Sequence, residues 1–344
     1  MNRIVNKRNV GKLVVTSILL FGIFIQAYSQ DWERVLNLKG SWKFSIGDNK
    51  RWSDPKYSDS GWESIDVPSA WEDEGFNGYN GYAWYRKTFD GTELENKSFA
   101  YNLFLGYIDD VDEVYFNGHK IGFSGTFPPR YHTAYNAHRN YSIPSEFINF
   151  NGKNLIAVRV FDSEISGGIV SGDVGIFIDE NDADLTINLR GMWDFAVAEQ
   201  VYRSSDNNEF LGTDKHTPSE TAKWSKVMVP GEWEHQGYNN LNGTGWYRKQ
   251  FTIPKELDGE DLVLVLGKID DFDHTYFNGK WIGSTNYHDR SRFYTIPAES
   301  FTGGAVNILL VYVMDAQGRG GIYEGPIGLM RQSDFTRYYR NRNR

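Results

Sequence analysis

No cysteine occurs in the 344 residues, so a disulfide framework, a thiolate metal site and a lipid-anchored lipoprotein are all excluded. Positive charge is also in deficit. Lys and Arg number 36 against 45 Asp and Glu, a formal net charge of -9, which argues against nucleic acid as a partner. The exception is local: Arg331, Arg337, Arg340, Arg342 and Arg344 crowd the C-terminus, where residues 333–344 read as a frayed basic tail without apolar periodicity. Long apolar runs are scarce. Leu13 to Ile25 is short for a bilayer span; with Arg3, Lys7, Arg8 and Lys12 before it and Ala27-Tyr28-Ser29 after it, residues 1–29 read as a secretory signal rather than an anchor helix. The expectation is an exported chain, periplasmic or secreted, with no membrane span after signal removal and 32 basic residues against 45 acidic. Long segments of 3.6-residue period are missing too, as are a Gly-x-Ser-x-Gly elbow, a Gly-Asp-Ser word and a phosphate-binding glycine loop.

What is abundant is aromatic: 11 Trp, 21 Tyr and 22 Phe, enough to fill the space between sheets or to line a surface that stacks on ring-shaped ligands. Turn signals such as Asp54-Pro55, Asn77-Gly78, Asn117-Gly118 and Asn151-Gly152 recur between short β-branched or alternating runs. Strands are expected at Val35–Leu38, Trp42–Ile46, Ile65–Val67, Ala83–Phe89, Ala100–Leu105, Glu113–Phe116, Tyr141–Ile143 and Leu155–Phe161. The last is apolar almost throughout, as a strand covered on both faces would be.

The chain also repeats itself. Gly106 to Gly122, GYIDDVDEVYFNGHKIG, returns at Gly267 to Gly283 as GKIDDFDHTYFNGKWIG, with eleven of seventeen positions identical. Each copy reads as a hairpin closed by Asn-Gly. Upstream, Val67-Pro68, Trp71-Glu72 and Trp84-Tyr-Arg-Lys87 answer Val229-Pro230, Trp233-Glu234 and Trp246-Tyr-Arg-Lys249 at an offset of 162. Downstream, Arg139, Tyr141, Asp162 and Gly167-Gly168-Ile169 answer Arg292, Tyr294, Asp315 and Gly320-Gly321-Ile322 at an offset of 153. One unit written twice gives an expected organisation of signal 1–29, domain 30–180, domain 181–332 and tail 333–344.

These motifs together resemble the sugar-binding, galactose-binding-domain-like jelly roll of glycoside hydrolase family 2, in the form that accompanies sialate O-acetylesterases and some β-galactosidases. The resemblance implies an all-β fold of two tandem antiparallel jelly-roll β-sandwiches and a carbohydrate context. In such families this module sits beside a separate catalytic domain. The chain has no room for a (β/α)₈ barrel of about 250 residues, so the family's paired catalytic glutamates have no counterpart here.

Several constellations admit two readings. Asp109-Asp110-x-Asp112 and Asp270-Asp271-x-Asp273 offer carboxylates to calcium but lack EF-hand spacing; a buried pairing with Arg86 or Arg248, or capping of turn amides, is preferred, and no cofactor is expected. Trp71-Glu72 and Trp233-Glu234 read as core or sugar contact, since no second carboxyl is placed beside either glutamate. Specificity is expected where the copies differ. The second copy is eleven residues longer between Trp193 and Trp224 than the first between Trp42 and Trp62, but the largest aromatic-plus-polar difference is Phe123 to Arg139, eight residues longer than its counterpart and read either as a sugar-binding loop or as a self-packed Ω-loop. The candidate carbohydrate contacts are Arg130, Tyr131, His132, Tyr135 and Arg139 with the Asp162–Glu164 corner, and Tyr287, His288, Arg290 and Arg319 in the second copy. No catalytic or metal-ligating residue is assigned. The expected function is an exported accessory protein that binds a glycan or oligosaccharide, with a partner hydrolase as a second candidate partner. Two alternatives stay open: a glycoside hydrolase or carbohydrate esterase with an unrecognised site, and a structural adaptor docking a partner enzyme.

Overall fold

A computed structural model describes residues 32–94, 101–179, 184–198, 217–238, 241–316, 318 and 320–342; the expected signal segment and Arg319 lie outside the described residues. The first half carries β1 (Trp32–Asn37), β2 (Gly40–Ile46), β3 (Glu63–Val67), β4 (Gly81–Asp90), β5 (Tyr101–Asp109), β6 (Val111–Phe116), β7 (His119–Ser124), β8 (His138–Ile143), β9 (Lys153–Asp162) and β10 (Gly168–Asp179). The second carries β11 (Ile187–Asn188), β12 (Gly191–Val197), β13 (Ser225–Val229), β14 (Gly243–Thr252), β15 (Leu262–Asp270), β16 (Phe272–Phe277), β17 (Lys280–Thr285), β18 (Ser291–Ile296), β19 (Val306–Asp315) and β20 (Gly321–Arg331), followed by helix α1 (Gln332–Arg342).

The all-β class is as expected, but the architecture of two tandem jelly-roll sandwiches is corrected. A jelly roll is eight strands wound as two Greek keys. The described strands instead form four small antiparallel sheets, ordered β3-β2-β4-β9-β6-β7, β1-β10-β5-β8, β13-β12-β14-β19-β16-β17 and β11-β20-β15-β18. No strand is expected in the first copy after Phe161, yet β10 lies between β1 and β5. Ser171-Gly172-Asp173 looks like a turn. In the structure it is a bulge, with the register shifting on either side of Ser171. There Gly172 takes φ +95°, and Gly106 lies so close that a Cβ would come within 1.9 Å of the Ser171 carbonyl oxygen.

Alternation decides what each strand buries. In β2, Trp42 and Phe44 point inward while Ser41, Lys43 and Ser45 do not. They join Val158 and Val160 of β9, Leu103 and Leu105 of β5, and Ile176 and Ile178 of β10 in one apolar cluster. Trp193, Phe195, Val311, Val313, Leu264, Leu266, Ile327 and Leu329 do the same in the second half. Each such side chain contributes about 1.5–3 kcal/mol on burial. β9 is apolar on both faces because residues 50–62 cover its outer side: the Trp52 ring lies 5.0 Å from Trp62 and 6.2 Å from Trp84, against Tyr115 and Ala157.

The expected frayed tail is a docked helix. Phe335, Tyr338 and Tyr339 recur at helical spacing, so they share one face of α1 and meet Phe293 with ring centroids 5.1–6.2 Å away. Arg337 pairs with Asp184 at 2.6 Å. The two halves meet along β7, β8 and β12. Met228 enters the first half's core and Met192 packs against it. Arg190 faces Asp179 at 3.6 Å, both side chains nearly buried, and lies over the Trp32 ring at 5.6 Å.

In each half a buried arginine fastens the end of the hairpin. Arg139, with no exposed surface, donates from Nε to Asp112 Oδ1 at 2.8 Å, while Tyr141 Oη donates to Asp112 Oδ2 at 2.6 Å. Arg292 Nε donates to Asp273 Oδ1 at 3.0 Å and Tyr294 Oη to Asp273 Oδ2 at 2.9 Å. The Asp cluster is therefore structural through Asp112 and Asp273, paired with these arginines rather than with Arg86 or Arg248. Arg86 is bound to Asp59 at 2.8 Å, and Arg248 to Asp194 at 3.2 Å. Asp112→Ala leaves a buried guanidinium unpaired and is expected to cost about 3–5 kcal/mol. Asp173→Ala, which removes the exposed partner of Arg34 and Lys39, is expected to cost about 0–1 kcal/mol. Urea unfolding of both variants measures the difference; equal costs would contradict the assignment.

Candidate carbohydrate site at the loop end of the first half

Three chain reversals meet at one end of the first half. β5 passes into β6 at Asp109-Asp110, β9 ends at Asp162, and residues 125–137 connect β7 to β8. Asp110 ties them together. Its Oδ1 accepts from Thr133 Oγ1 at 2.5 Å; its Oδ2 accepts from Ser163 N at 3.0 Å and Ser163 Oγ at 2.9 Å. Its carbonyl oxygen accepts from Ala134 N at 3.1 Å and Arg139 Nη2 at 3.0 Å. Tyr131 Oη and Ser163 Oγ are 3.0 Å apart, and the Tyr131 ring meets Phe161 edge-on at 5.6 Å. Thr126 and His132 close the base of the loop through reciprocal backbone bonds of 2.9 and 3.0 Å.

The carboxyls here titrate differently. Burial raises Asp110, but hydrogen bonds from Thr133, Tyr131 and Ser163 outweigh it and hold the group below the usual carboxylate range. Burial, then the hydrogen bond and charge of Asp110, push Asp109 up to about 7. Asp162 is also pushed up to about 7, first by burial and then by the charges of Asp110 and Glu72, against the backbone N–H groups of Glu164 and Ser163. Ligand oxygens of Asp109, Asp110 and Asp162 lie within 4.8 Å of one another, but the Asp110 oxygens are engaged by Thr133 and Ser163 and Asp162 Oδ1 by Glu164 N.

The structure brings together most of the first-copy candidates. Tyr131 is 37% exposed and Tyr135 57%, with Arg130 and Glu164 also at the surface. Asp162 belongs to the cluster but is fully buried beneath the corner, so it acts on the surface only through its neighbours. Arg139 is corrected as a sugar contact: its side chain is enclosed, with Nη1 donating to the Ala134 and Ala137 carbonyls. His132 is half-buried; burial, then the charge of His235 in the second half, hold it below the usual histidine range. Sequence reasoning missed Ser163 and Thr133, whose hydroxyls fasten the loop to the corner, and the exposed Ile165. A serine or threonine in a polar loop carries no signal of its own.

Of the second-copy candidates, Tyr287, His288 and Arg290 stand between β17 and β18 of the second half. Arg290 covers the exposed Tyr287 ring at 4.0 Å, and Tyr323 Oη donates to the His288 carbonyl at 2.9 Å. Asp270 repeats the behaviour of Asp109, raised to about 7 by burial and then by Asp271.

In Trp71 and Trp233 the repeated tryptophan is core, with Nε1 donating to Glu72 at 2.6 Å and to Glu234 at 2.7 Å. Gly167 N donates to Glu72 Oε2 at 3.1 Å. A Cβ on Gly167 or Gly320 would come within about 2 Å of those indole rings, which is why the corner begins with glycine.

Residues 47–164, the stretch that includes this cluster, match the family model described as the β-galactosidase second all-beta domain. Two curated relatives are similar to part of the chain. A β-galactosidase of Vibrio cholerae is 28% identical over 134 residues, covering 33% of this chain and 12% of its own. The β-galactosidase BoGH2A of Bacteroides ovatus is 27% identical over 143 residues, covering 37% and 15%. The chain therefore spans less than a sixth of either relative. A solved β-glucuronidase 2 from Bacteroides uniformis aligns over 86% of this chain and 28% of its own, with TM-score 0.38 and 16% identity, a likeness on which nothing further rests. The family and relative matches support a glycoside hydrolase family 2-type domain in the first half of the chain. Among the described residues no helix is long and apolar enough to cross a membrane.

The raised carboxyls carry a pH dependence. Asp162 binds its proton more tightly folded than at its ordinary value of 3.8, so its contribution to stability is full below about pH 4 and is lost as pH rises through about 7. Asp162→Asn is expected to flatten the decline in melting temperature between those limits, leaving a residual slope from Asp109 and Asp270. An unchanged slope in thermal melts would contradict the assignment.

Proposed function

We propose that this is an exported carbohydrate-binding accessory protein that holds a glycan at the loop end of its first half and performs no bond cleavage. One observation carries the reading: the stretch matching a β-galactosidase all-β domain holds a cluster where exposed Tyr131 meets Ser163, with Tyr135 on the same loop and Glu164 next to Ser163 also at the surface. Sugars are held by stacking their C–H faces on aromatic rings while planar polar groups take the hydroxyls, and both kinds of group are present. The two repeats, 30–180 and 181–332, act as separate domains in this reading, with the second copy's Tyr287 and Arg290 as the lesser surface.

A hydrolase is the second reading, favoured by the opposite shifts of the neighbours Asp109 and Asp110, since acid and base roles need carboxyls whose affinities for protons diverge. Against it, both Asp110 oxygens already accept hydrogen bonds from Thr133 and Ser163. Binding on a glycan array, followed by titration of the best ligand, tests the proposal. Affinity in the micromolar to millimolar range is expected for a shallow site with few anchors, with loss of binding in Tyr131→Ala combined with Tyr135→Ala at an unchanged melting temperature. Retained binding in that double variant, or turnover of aryl glycosides or acetylated sugars that disappears in Asp109→Asn, would contradict it.

A further inference from the structure

Six Asn-Gly pairs punctuate the chain, beginning at Asn77, Asn80, Asn117, Asn151, Asn242 and Asn278. Such a pair is open to an intramolecular reaction as well as to a turn. The glycine nitrogen attacks the asparagine Cγ, and with no Cβ on the glycine little obstructs the approach. How fast this happens in a folded protein depends on what holds the two amides and how readily they open.

In the two hairpins the asparagine is clamped. Asn117 Nδ2 donates to the Phe147 carbonyl and to Asn154 Oδ1, each at 2.8 Å, while Asn117 Oδ1 accepts from Leu155 N at 2.8 Å. Asn278 Nδ2 donates to the Ser300 carbonyl at 3.0 Å and to Asn307 Oδ1 at 2.9 Å, and its Oδ1 accepts from Ile308 N at 2.9 Å. Gly81 and Gly243 belong to β4 and β14, paired with Asp162 and Asp315. In the orientation that satisfies both ends of its amide, Asn80 Nδ2 donates to Asp162 Oδ2 and to the Tyr79 carbonyl, each at 3.2 Å. Gly152 is fixed through its carbonyl, which accepts from Gly91 N at 2.8 Å and Asn154 Nδ2 at 3.3 Å.

Asn77 differs. It and Gly78 are exposed, at the centre of the turn that Tyr79 N closes on the Phe76 carbonyl at 3.1 Å. Among the described residues, neither the Asn77 side-chain amide nor the Gly78 nitrogen takes part in a hydrogen bond. A Cβ on Gly78 would meet nothing within 4 Å, so the pair has room to reorganise.

We propose that Asn77-Gly78 is a deamidation site, at which the folded protein converts asparagine to aspartate and isoaspartate. The Gly78 nitrogen bonds to Asn77 Cγ and gives up its proton, the Cγ–Nδ2 bond breaks, and ammonia leaves. Water then opens the five-membered imide. Breaking the bond from Gly78 N to Asn77 Cγ gives aspartate; breaking the bond from Gly78 N to the Asn77 main-chain carbonyl carbon gives isoaspartate.

Both products put a new negative charge on the turn, and the isoaspartyl form lengthens the backbone between Phe76 and Tyr79. Those residues clasp Trp71: Phe76 N donates to the Trp71 carbonyl at 3.0 Å, and Trp71 Nε1 donates to the Tyr79 carbonyl at 3.1 Å. The modification therefore falls on the support of the tryptophan against which Gly167 packs. It stands on the turn geometry and not on the carbohydrate reading.

Peptide mapping by mass spectrometry, after the full chain has been held in mildly alkaline buffer, reads each pair separately, with isoaspartate scored by enzymatic methyl transfer. In the folded protein Asn77 is expected to convert at least ~10-fold faster than Asn117 or Asn278, whose reaction waits on local opening. In concentrated urea, where the clamps are gone, the three are expected to convert within about 3-fold of one another. A preference for Asn77 that persists unchanged in urea would trace the effect to local sequence and overturn the structural assignment. Folded-state conversion at any other Asn-Gly pair as fast as at Asn77 would overturn it too, as would no conversion at Asn77 in the time the urea-treated chain takes to react.

Discussion

A guanidinium with no exposed surface organises the end of the first half. Arg139 sits on β8, reaches Asp112 on β6, and spends its remaining donors on the carbonyls of Asp110, Ala134 and Ala137. A buried charge is tolerated only when paired and fully hydrogen-bonded, so the loop cannot drift without exposing that debt. The planar fork of arginine meets these acceptors in fixed directions, which a lysine ammonium does not do. Asp110 completes the arrangement from the other side by fixing Thr133 and Ser163. Tyr131 is thus an exposed ring on a loop anchored from beneath at several points, the preorganisation that the proposed glycan contact requires.

The repeat shows which parts of this are frame and which are free to vary. Arg292 keeps the same place, bound to Asp273 and to the carbonyls of Asp271 and Arg290. The Trp71–Glu72–Gly167 contact recurs as Trp233–Glu234–Gly320. What differs is the segment that the frame carries: an eight-residue longer loop in the first half, and in the second a short one on which Arg290 lies against Tyr287. The junction is unequal in the same way. Met192 and Met228 face the first half's core, whereas Ser41 and Asp66 stand at the matching positions of the first copy and are exposed. Only one of the two copies is built to bear another against that side.

Much of this was legible in the chain, for physical reasons. The Asn-Gly hairpins are where they were expected because both residues take positive φ, 49° and 85° in the first copy and 48° and 80° in the second. β9 was readable as a doubly covered strand from its unbroken apolar run. β10 was not, because Gly172 breaks its pattern at a bulge. Helix α1 was hidden by its three arginines, as many as its aromatic residues, though Phe335 and Tyr338 still hold it to the sheet. At the candidate site, the acidic hairpin and the long aromatic loop could be picked out, but not the division of labour within them: Asp112 and Arg139 as the buried pair, Asp110 as the tie, Tyr131 at the surface. Those roles depend on which way side chains point after long-range strand pairing, and residue type alone does not encode that.

The central claim is that the buried fork of Arg139 holds the loop bearing Tyr131 and Tyr135 in place. Amide exchange in Arg139→Lys, which keeps the charge and loses the fork, tests it most directly. Faster exchange confined to residues 126–137, with β9 and β10 still protected, is the predicted result. Loop protection equal to that of the wild type in a folded Arg139→Lys protein would contradict the claim.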